Sequence, residues 1–149
     1  MPTFRFHHPI EIRYSDLDPQ GHVNNARFLT YFEQARVQYL IHLGLFSREQ
    51  SFLEIGIIIA EAAITFKSPV YFGTQARVGV RVSRLGTKSM TMEYEMVDNE
   101  GILYATGSTA IVTFDFKTHA TIPIPDAWRQ TISKLEHLDT NNRQPTTDN

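Results

Sequence analysis

Hydrophobic and polar positions along the chain predict one long helix and several strands. When successive residues of Ala26–Leu43 are placed about 100° apart around a helix axis, seven apolar side chains fall in one arc of about 140°, as in a helix with one buried face, although Val37 and Ile41 lie on the opposite side. This segment contains no proline or glycine, and Gly44 is suited to end the helix. Apolar patterns predict strands over Phe4–Tyr14, Leu53–Phe66, Gln75–Leu85, Lys88–Val97 and Ile102–Phe116, and Pro125–Leu138 is predicted as a short terminal helix.

The order of these elements predicts an α+β fold. Strands that return through hairpins make an antiparallel sheet, and Ala105 and Gly107 would let a helix approach the last strand closely. We therefore predict a sheet of about five strands wrapped around one long central helix. Residues 1–139 would form a single domain, followed by a polar, disordered tail over 140–149. A sheet of this kind has open edges, so we expect a homodimer or homotetramer.

Composition and charge exclude several classes of function. The 149 residues include 14 lysines and arginines and 16 acidic residues, so the net charge of -2 provides no basic surface for nucleic acid or anionic membranes. No cysteine is present, which excludes disulfides, thiolate nucleophiles and cysteine-ligated zinc. The longest aliphatic run, Ile57–Ala60, is far shorter than the ~20 residues that span a bilayer, and the start shows no secretory signal. We expect a cytoplasmic protein.

The densest cluster of polar residues, Tyr14–Asn25, lies between the first predicted strand and the helix. Within it, residues 18–21 (DPQG) fit a type I turn with Asp18 at the first position, which is a structural explanation of this aspartate. The chemical alternative is that a helix N-terminus binds oxyanions through its unpaired N–H groups and favours an ionised carboxylate beside it. Asp18 would then act as a base or nucleophile while the N–H groups polarise a carbonyl during acyl transfer.

The segment from Asp16 to Phe28 (DLDPQGHVNNARF), continued by Tyr31–Arg36 (YFEQAR), closely resembles the signature of the 4-hydroxybenzoyl-CoA thioesterase family. Members of this family are hotdog-fold acyl-CoA thioesterases. The resemblance therefore implies that fold, hydrolysis of an acyl-CoA, and Asp18 as the catalytic residue. It also implies that His22, Val23, Asn24 and Asn25 line the site or polarise the carbonyl through backbone N–H groups, and that Lys88 and Ser89 contact the nucleotide end of CoA.

Glu33 is the second candidate for the catalytic carboxylate. It lies eight residues after Asn25, ~12 Å along the helix, and a related hotdog branch has its catalytic carboxylate at about this distance. The structural explanation, which we favour, is an ion pair with Arg36, the one strongly polar residue inside the apolar arc. His7 and His8 are adjacent on a strand and point to opposite faces, so we expect no metal site, and we expect no cofactor.

Three other functions stay open at this stage. A thioesterase acting on acyl-carrier protein would use the same residues on a different thioester. A hotdog hydratase or dehydratase agrees less well, because its Asp/His pair is spaced differently from Asp18 and His22. A non-catalytic acyl-CoA-binding protein would have no evident use for Asp18 near a thioester. The sequence identifies neither the acyl group nor the choice between base and nucleophile.

Overall fold

The computed structural model describes residues 3–47 and 55–138, which form an antiparallel sheet and two α-helices. The predicted tail over 140–149 lies outside the described residues, and the second predicted strand is described from Ile55 onward. The strands are β1 (Phe6–Ile10), β2 (Ile55–Phe66), β3 (Ala76–Leu85), β4 (Ser89–Asp98), β5 (Leu103–Asp115) and β6 (Ala120–Thr121), and the helices are α1 (Arg27–His42) and α2 (Asp126–Glu136).

The strands lie in the order β1-β3-β4-β5-β2, with β6 paired to β5, and every pair is antiparallel. Short hairpins join β3 to β4 and β4 to β5. β2 lies at one edge of the sheet, where Ile58, Ile59 and Phe66 are between 38% and 46% exposed. The predicted antiparallel sheet of an α+β fold is confirmed, and the two-residue strand β6 is an addition that no apolar pattern indicated.

The α1 helix packs its apolar arc on the sheet through aromatic rings. The Phe32 ring stacks on the ring of Tyr94 in β4 with centroids 4.9 Å apart, and it also lies over Gly107 of β5. A Cβ atom at position 107 would lie 2.5 Å from the Phe32 ring, which confirms the expected close approach of a helix at this glycine. Arg36, inside the same arc, is buried and donates to the Tyr94 hydroxyl at 3.2 Å.

A sheet wrapped around one long central helix is not confirmed in that form. The α1 helix has 16 residues, and a second helix, α2, packs beside its C-terminal half. The hydroxyl of Tyr39 in α1 donates to Glu136 of α2 at 3.4 Å, and Trp128 of α2 contacts the Phe46 ring edge to face at 5.8 Å. No helix within residues 3–47 or 55–138 is long and apolar enough to cross a membrane.

The first strand is shorter than the apolar pattern predicts. β1 ends at Ile10, and residues Tyr14–Asp16 form a 3-10 turn in which the Asp16 N–H donates to the Arg13 carbonyl at 2.9 Å. The Asp16 carboxylate in turn accepts the Arg13 N–H at 3.0 Å. These two bonds close the turn, so the backbone leaves the sheet here and enters the loop that precedes α1.

Candidate active site

The loop between the 3-10 turn and α1 is a small hairpin around Asp18. The Asp18 N–H donates to the His22 carbonyl and the Gly21 N–H donates to the Asp18 carbonyl, both at 2.9 Å. The second bond joins the first and fourth residues of a β-turn, so the predicted turn that begins at Asp18 is confirmed. Gly21 has φ +86°, a left-handed conformation that favours glycine. Val23 then pairs with Val70 through an N–H donated at 2.8 Å, which fastens the hairpin to the neighbouring segment.

The Asp18 carboxylate takes part in the turn and also faces a histidine. Its Oδ1 accepts the Gln20 N–H at 2.9 Å, and its Oδ2 lies 3.6 Å from Nδ1 of His22. The side chains of Asp18 and His22 are 20% and 28% exposed, so both are held in place while remaining accessible. The structural and the chemical explanations of Asp18 are therefore compatible: one oxygen is used by the turn and the other is turned toward the imidazole.

The start of α1 leaves one backbone donor without an acceptor. The Asn24 side chain accepts the Ala26 N–H at 2.9 Å, and the Asn24 carbonyl accepts the Arg27 N–H at 2.9 Å. Asn24 thus caps the turn that leads into the helix, whereas Ala26 holds the N-cap position itself. Within residues 3–47 and 55–138, the N–H of Asn25 makes no hydrogen bond. This N–H is the donor at the helix N-terminus that a bound oxyanion could use.

The predicted site-lining residues lie in two separate clefts. Asn24 lines a cleft with Ser15, Arg27 and Thr30. A second cleft of about 240 Å³ contains the other three predicted residues, and its lining includes His22, Val23, Asn25, Phe28, Phe66 and residues 67–69. The second cleft therefore combines the unpaired Asn25 N–H with the imidazole that faces Asp18.

Asp16 has a larger structural role than the sequence indicated. Its side chain is fully buried and accepts hydrogen bonds from the Tyr31 hydroxyl at 2.7 Å and from Nη2 of Arg13 at 3.0 Å. Burial alone would raise the pKa of the Asp16 carboxyl, but the hydrogen bonds from Tyr31 and Arg13 outweigh it and hold this pKa below its ordinary value. The Asp16 carbonyl also accepts the Asn24 N–H at 2.9 Å, so this residue connects the loop to the start of α1.

Glu33 lies on the outer surface of α1. Its side chain is 69% exposed, and its Oε2 lies 3.8 Å from Nη2 of Arg36. This is the i,i+3 ion pair that the sequence analysis favoured over a catalytic role. Neither Glu33 nor Asp18 is among the residues that line either cleft. Asp18 is linked to the second cleft through His22, whose imidazole lies 3.6 Å from its carboxylate, whereas Glu33 lies on the exposed face of α1.

Residues 12–132 match the family model described as the thioesterase-like superfamily. The chain belongs to this superfamily. This thioesterase is 24% identical over 127 residues to the long-chain acyl-CoA thioesterase FadM of Escherichia coli (strain K12). The match covers 85% of this chain and 96% of FadM. It is 22% identical over 116 residues to the acyl-CoA thioester hydrolase YbgC of Escherichia coli O157:H7, which covers 77% and 86%.

A solved structure agrees with this assignment. The crystal structure of a thioesterase from Thermus thermophilus, complexed with coenzyme A and Zn, is 32% identical to this chain with a TM-score of 0.79, and the match covers 93% of this chain and 100% of the other. The predicted membership of the hotdog-fold acyl-CoA thioesterases is therefore confirmed, and the protein is a thioester hydrolase.

Lys88 and Ser89 lie far from the start of α1 within one chain of this thioesterase. Phe28 of α1 contacts Phe66, which pairs with Ala105 of β5. Ser89 pairs with Val112, seven residues further along β5, which corresponds to roughly 23 Å of extended strand. A single subunit does not bring the predicted CoA-binding residues to the same end of the sheet as Asp18.

Proposed function

We propose that this thioesterase hydrolyses the thioester of an acyl-CoA to the free acid and CoA. The observation that carries the proposal is the unpaired N–H of Asn25, in a cleft shared with His22, whose imidazole faces the Asp18 carboxylate. The sequence relatives FadM and YbgC are named for acyl-CoA thioesters, which supports the same substrate class.

The Asn25 N–H would polarise the thioester carbonyl. A helix N-terminus carries a partial positive charge, and the carbonyl oxygen becomes negative when a nucleophile adds to its carbon. One fixed donor of this kind stabilises the transition state by ~3–4 kcal/mol in comparable sites. The carbonyl oxygen would thus occupy the position where the Asn25 N–H has no protein acceptor.

Asp18 would act in one of two ways. As a general base, it takes a proton from water, the resulting hydroxide adds to the carbonyl carbon, and the C–S bond breaks to release the thiolate of CoA. As a nucleophile, its oxygen adds to the same carbon and expels the thiolate, and water then cleaves the mixed anhydride to regenerate the carboxylate. A thiolate leaves without a strong acid, so neither route requires a further acidic group.

A second copy of the chain would complete the site. The cleft of about 240 Å³ is smaller than the ~300–1,000 Å³ of most ligand pockets, and its wall includes Phe66 at the end of the exposed edge strand β2. We infer that β2 pairs with the β2 strand of a second subunit in the antiparallel direction, which also removes the open apolar edge.

This pairing would also bring the predicted CoA-binding residues to the start of α1. Ile58 of β2 and Ser89 of β4 both pair with Val112, so they lie in one row across the sheet, about 10 Å apart. An antiparallel copy places the opposite end of its own β2 beside Phe66. The partner subunit's Lys88 and the partner subunit's Ser89 would then lie at the same end as Asp18.

Thiol release from a panel of short, long, aromatic and hydroxylated acyl-CoAs tests the function. Asp18→Asn keeps the size of the side chain but cannot act as a base, so turnover should fall by about 10²-fold or more, whereas Glu33→Gln should retain it. Turnover that survives in D18N and collapses in E33Q would move the catalytic role to Glu33. Activity confined to acyl-carrier-protein thioesters, or binding without turnover, would contradict the proposed substrate or the proposed chemistry.

Oligomeric state in solution tests the second subunit. Ile59→Asp places a charge on the β2 edge and should give a monomer with lost turnover when measured by light scattering and thiol release. Ile102→Asp is the matched control, because Ile102 is 44% exposed but lies outside β2. An I59D protein that keeps the oligomeric state of the wild type would contradict pairing through this edge.

A further inference from the structure

A buried arginine on α2 holds the turn to which the proposed function assigns the nucleotide end of CoA. Arg129 is 7% exposed, and its Nη2 donates to the carbonyl oxygen of Gly86 at 2.6 Å and to that of Thr87 at 3.5 Å. A guanidinium stays charged in a protein, so burying it costs free energy unless acceptors are fixed around it. Two of those acceptors belong to the turn 86–89, which joins β3 to β4.

The carbonyl groups of this turn face donors in the body of the protein. Besides the Gly86 carbonyl held by Arg129, the Thr87 carbonyl accepts the Ile124 N–H at 2.9 Å. The carbonyl of the next residue accepts the Thr113 N–H at 3.0 Å. The turn is closed on itself by a bond of 2.7 Å from the Gly86 N–H to the carbonyl of residue 89. Three successive peptide oxygens are thus directed toward α2 and the strand β5.

The opposite side of the same peptides presents N–H groups. Every peptide bond within residues 3–47 and 55–138 is trans, and the C=O and N–H of a trans peptide point in opposite directions. The N–H groups of Thr87 and Lys88 are therefore directed away from Arg129. Backbone N–H groups that share one side of a turn attract anions. The Lys88 ammonium donates to the Thr121 hydroxyl at 3.5 Å and adds a positive charge to this end of the sheet. The anions of CoA are its phosphates.

We propose that Arg129 is a positioning residue for recognition of the nucleotide end of CoA. It does not touch the substrate but fixes the turn carbonyls inward, so that the N–H groups of Thr87 and Lys88 face a phosphate. The inference rests on the proposed function, in which Lys88 and Ser89 contact CoA. Loss of the guanidinium would release the turn and weaken binding of the nucleotide, while the chemistry at Asp18 would be unchanged.

The test compares an acyl-CoA with the acyl-pantetheine that carries the same acyl group but lacks the nucleotide. Arg129→Met keeps the length of the side chain and removes its donors. We expect R129M to raise KM for the acyl-CoA about tenfold, because a hydrogen bond from a charged group contributes that much. The kcat values and the KM for acyl-pantetheine should stay at the wild-type level. Arg129→Lys retains a charged donor group, so its KM for the acyl-CoA should lie between the values of R129M and the wild type.

Ile132→Ala is the matched control, because Ile132 is fully buried on the same helix but has no polar group to hold the turn. It should lower Tm without changing the ratio of the two KM values. An I132A protein that raises this ratio as much as R129M would overturn the inference, because docking of α2 alone would then explain the effect. R129M and R129K proteins with the wild-type ratio would also overturn it, and R129K decides the matter where R129M does not fold.

The wild-type protein separates this inference from the proposed function. A wild type that hydrolyses acyl-CoA and acyl-pantetheine with the same KM would overturn the assignment of Lys88 and Ser89, and with it the role of Arg129. A wild type that hydrolyses neither would overturn the proposed function itself. Turnover of both substrates with a lower KM for acyl-CoA, and loss of that difference in R129M, supports the inference.

Discussion

Replacement of Asp16 by asparagine probes how the loop around Asp18 is held. The carboxylate accepts three hydrogen bonds of 3.0 Å or less: one from the Tyr31 hydroxyl at 2.7 Å, and two from the backbone N–H and Nη2 of Arg13, both at 3.0 Å. Its side chain is fully buried, whereas the Arg13 side chain is 52% exposed. The bond from Tyr31 is therefore the one that water cannot replace.

The expected loss of stability follows from the hydrogen bonds that an asparagine at position 16 can still make. With its oxygen toward Tyr31, its NH₂ group faces the Arg13 guanidinium and Nε of Arg27, which lies 3.8 Å from the carboxylate. Both ion pairs are then lost, at a cost of ~0–1 kcal/mol each because their partners are exposed. The bond from Tyr31 weakens from a charge-assisted bond worth ~1.5–3 kcal/mol to a neutral one worth ~1 kcal/mol. The sum is about 2 kcal/mol, which corresponds to a Tm lower by about 4–8 °C in a protein of this size.

Thermal and denaturant unfolding at pH 7 of wild type, D16N, Tyr31→Phe and the double variant measures this effect. The double variant should be more stable than the sum of the single effects predicts, by about 1 kcal/mol, because D16N weakens the bond that Tyr31→Phe removes, and the charge-assisted part of that bond can be lost only once. Glu33→Gln makes the same chemical change on an exposed residue and should stay within ~0.5 kcal/mol of wild type. A D16N protein as stable as E33Q, or additive single effects, would refute this account.

Three further outcomes are expected. Hydrogen bonds hold the pKa of Asp16 below 3.8, so its ionised side chain stabilises the protein above that pH and this stabilisation is lost as pH falls. The difference in free energy of unfolding between wild type and D16N should therefore become smaller as the pH is lowered. Burial raises the pKa of Glu136 above 4.5, so the stability of wild type relative to Glu136→Gln should decrease as pH rises from 4.5, measured by urea unfolding across pH. Gly107→Ala should lower the free energy of unfolding by ~1–3 kcal/mol, because its Cβ would lie 2.5 Å from the Phe32 ring.

The helix and the hairpins could be predicted because each depends on neighbours in sequence. The close contact at Gly107 could be predicted because a glycine inside a strand pattern indicates the close approach of another element. The prediction over Ala26–Leu43 corresponds to α1 (Arg27–His42), and the turn predicted at Asp18 forms the expected bond. The first strand was predicted too long, since the apolar pattern continues to Tyr14 while the bonds between Arg13 and Asp16 form a 3-10 turn.

Buried charges could not be predicted in the same way. A buried carboxylate or guanidinium needs partners beside it. Asp16 has one nearby partner in Arg13, but the other group that holds it, and the groups that hold Arg129, are distant in sequence. Asp16 depends on Tyr31, and Arg129 depends on Gly86, across 43 positions of sequence. Likewise, the availability of the Asn25 N–H depends on which neighbouring donors are already used, and the roles of Asp18 and Lys88 in catalysis and binding stay predictions.

Asp16 and Arg129 would each position backbone N–H groups, but at opposite ends of the substrate. Their kinetic effects should therefore be separable. The Asp16 side chain, through Tyr31 and Arg13, holds in place the backbone carbonyl that accepts the Asn24 N–H, and the next N–H, that of Asn25, would bind the thioester oxygen. Arg129 instead fixes carbonyls so that N–H groups face the nucleotide. A donor to the thioester oxygen acts mainly in the transition state, and a donor to a remote phosphate acts equally in ground and transition states. D16N should therefore lower kcat with acyl-CoA and acyl-pantetheine alike, while R129M should raise KM with acyl-CoA alone. If D16N instead raised KM with acyl-CoA alone, the Asn25 N–H would not be the donor on which the chemistry depends.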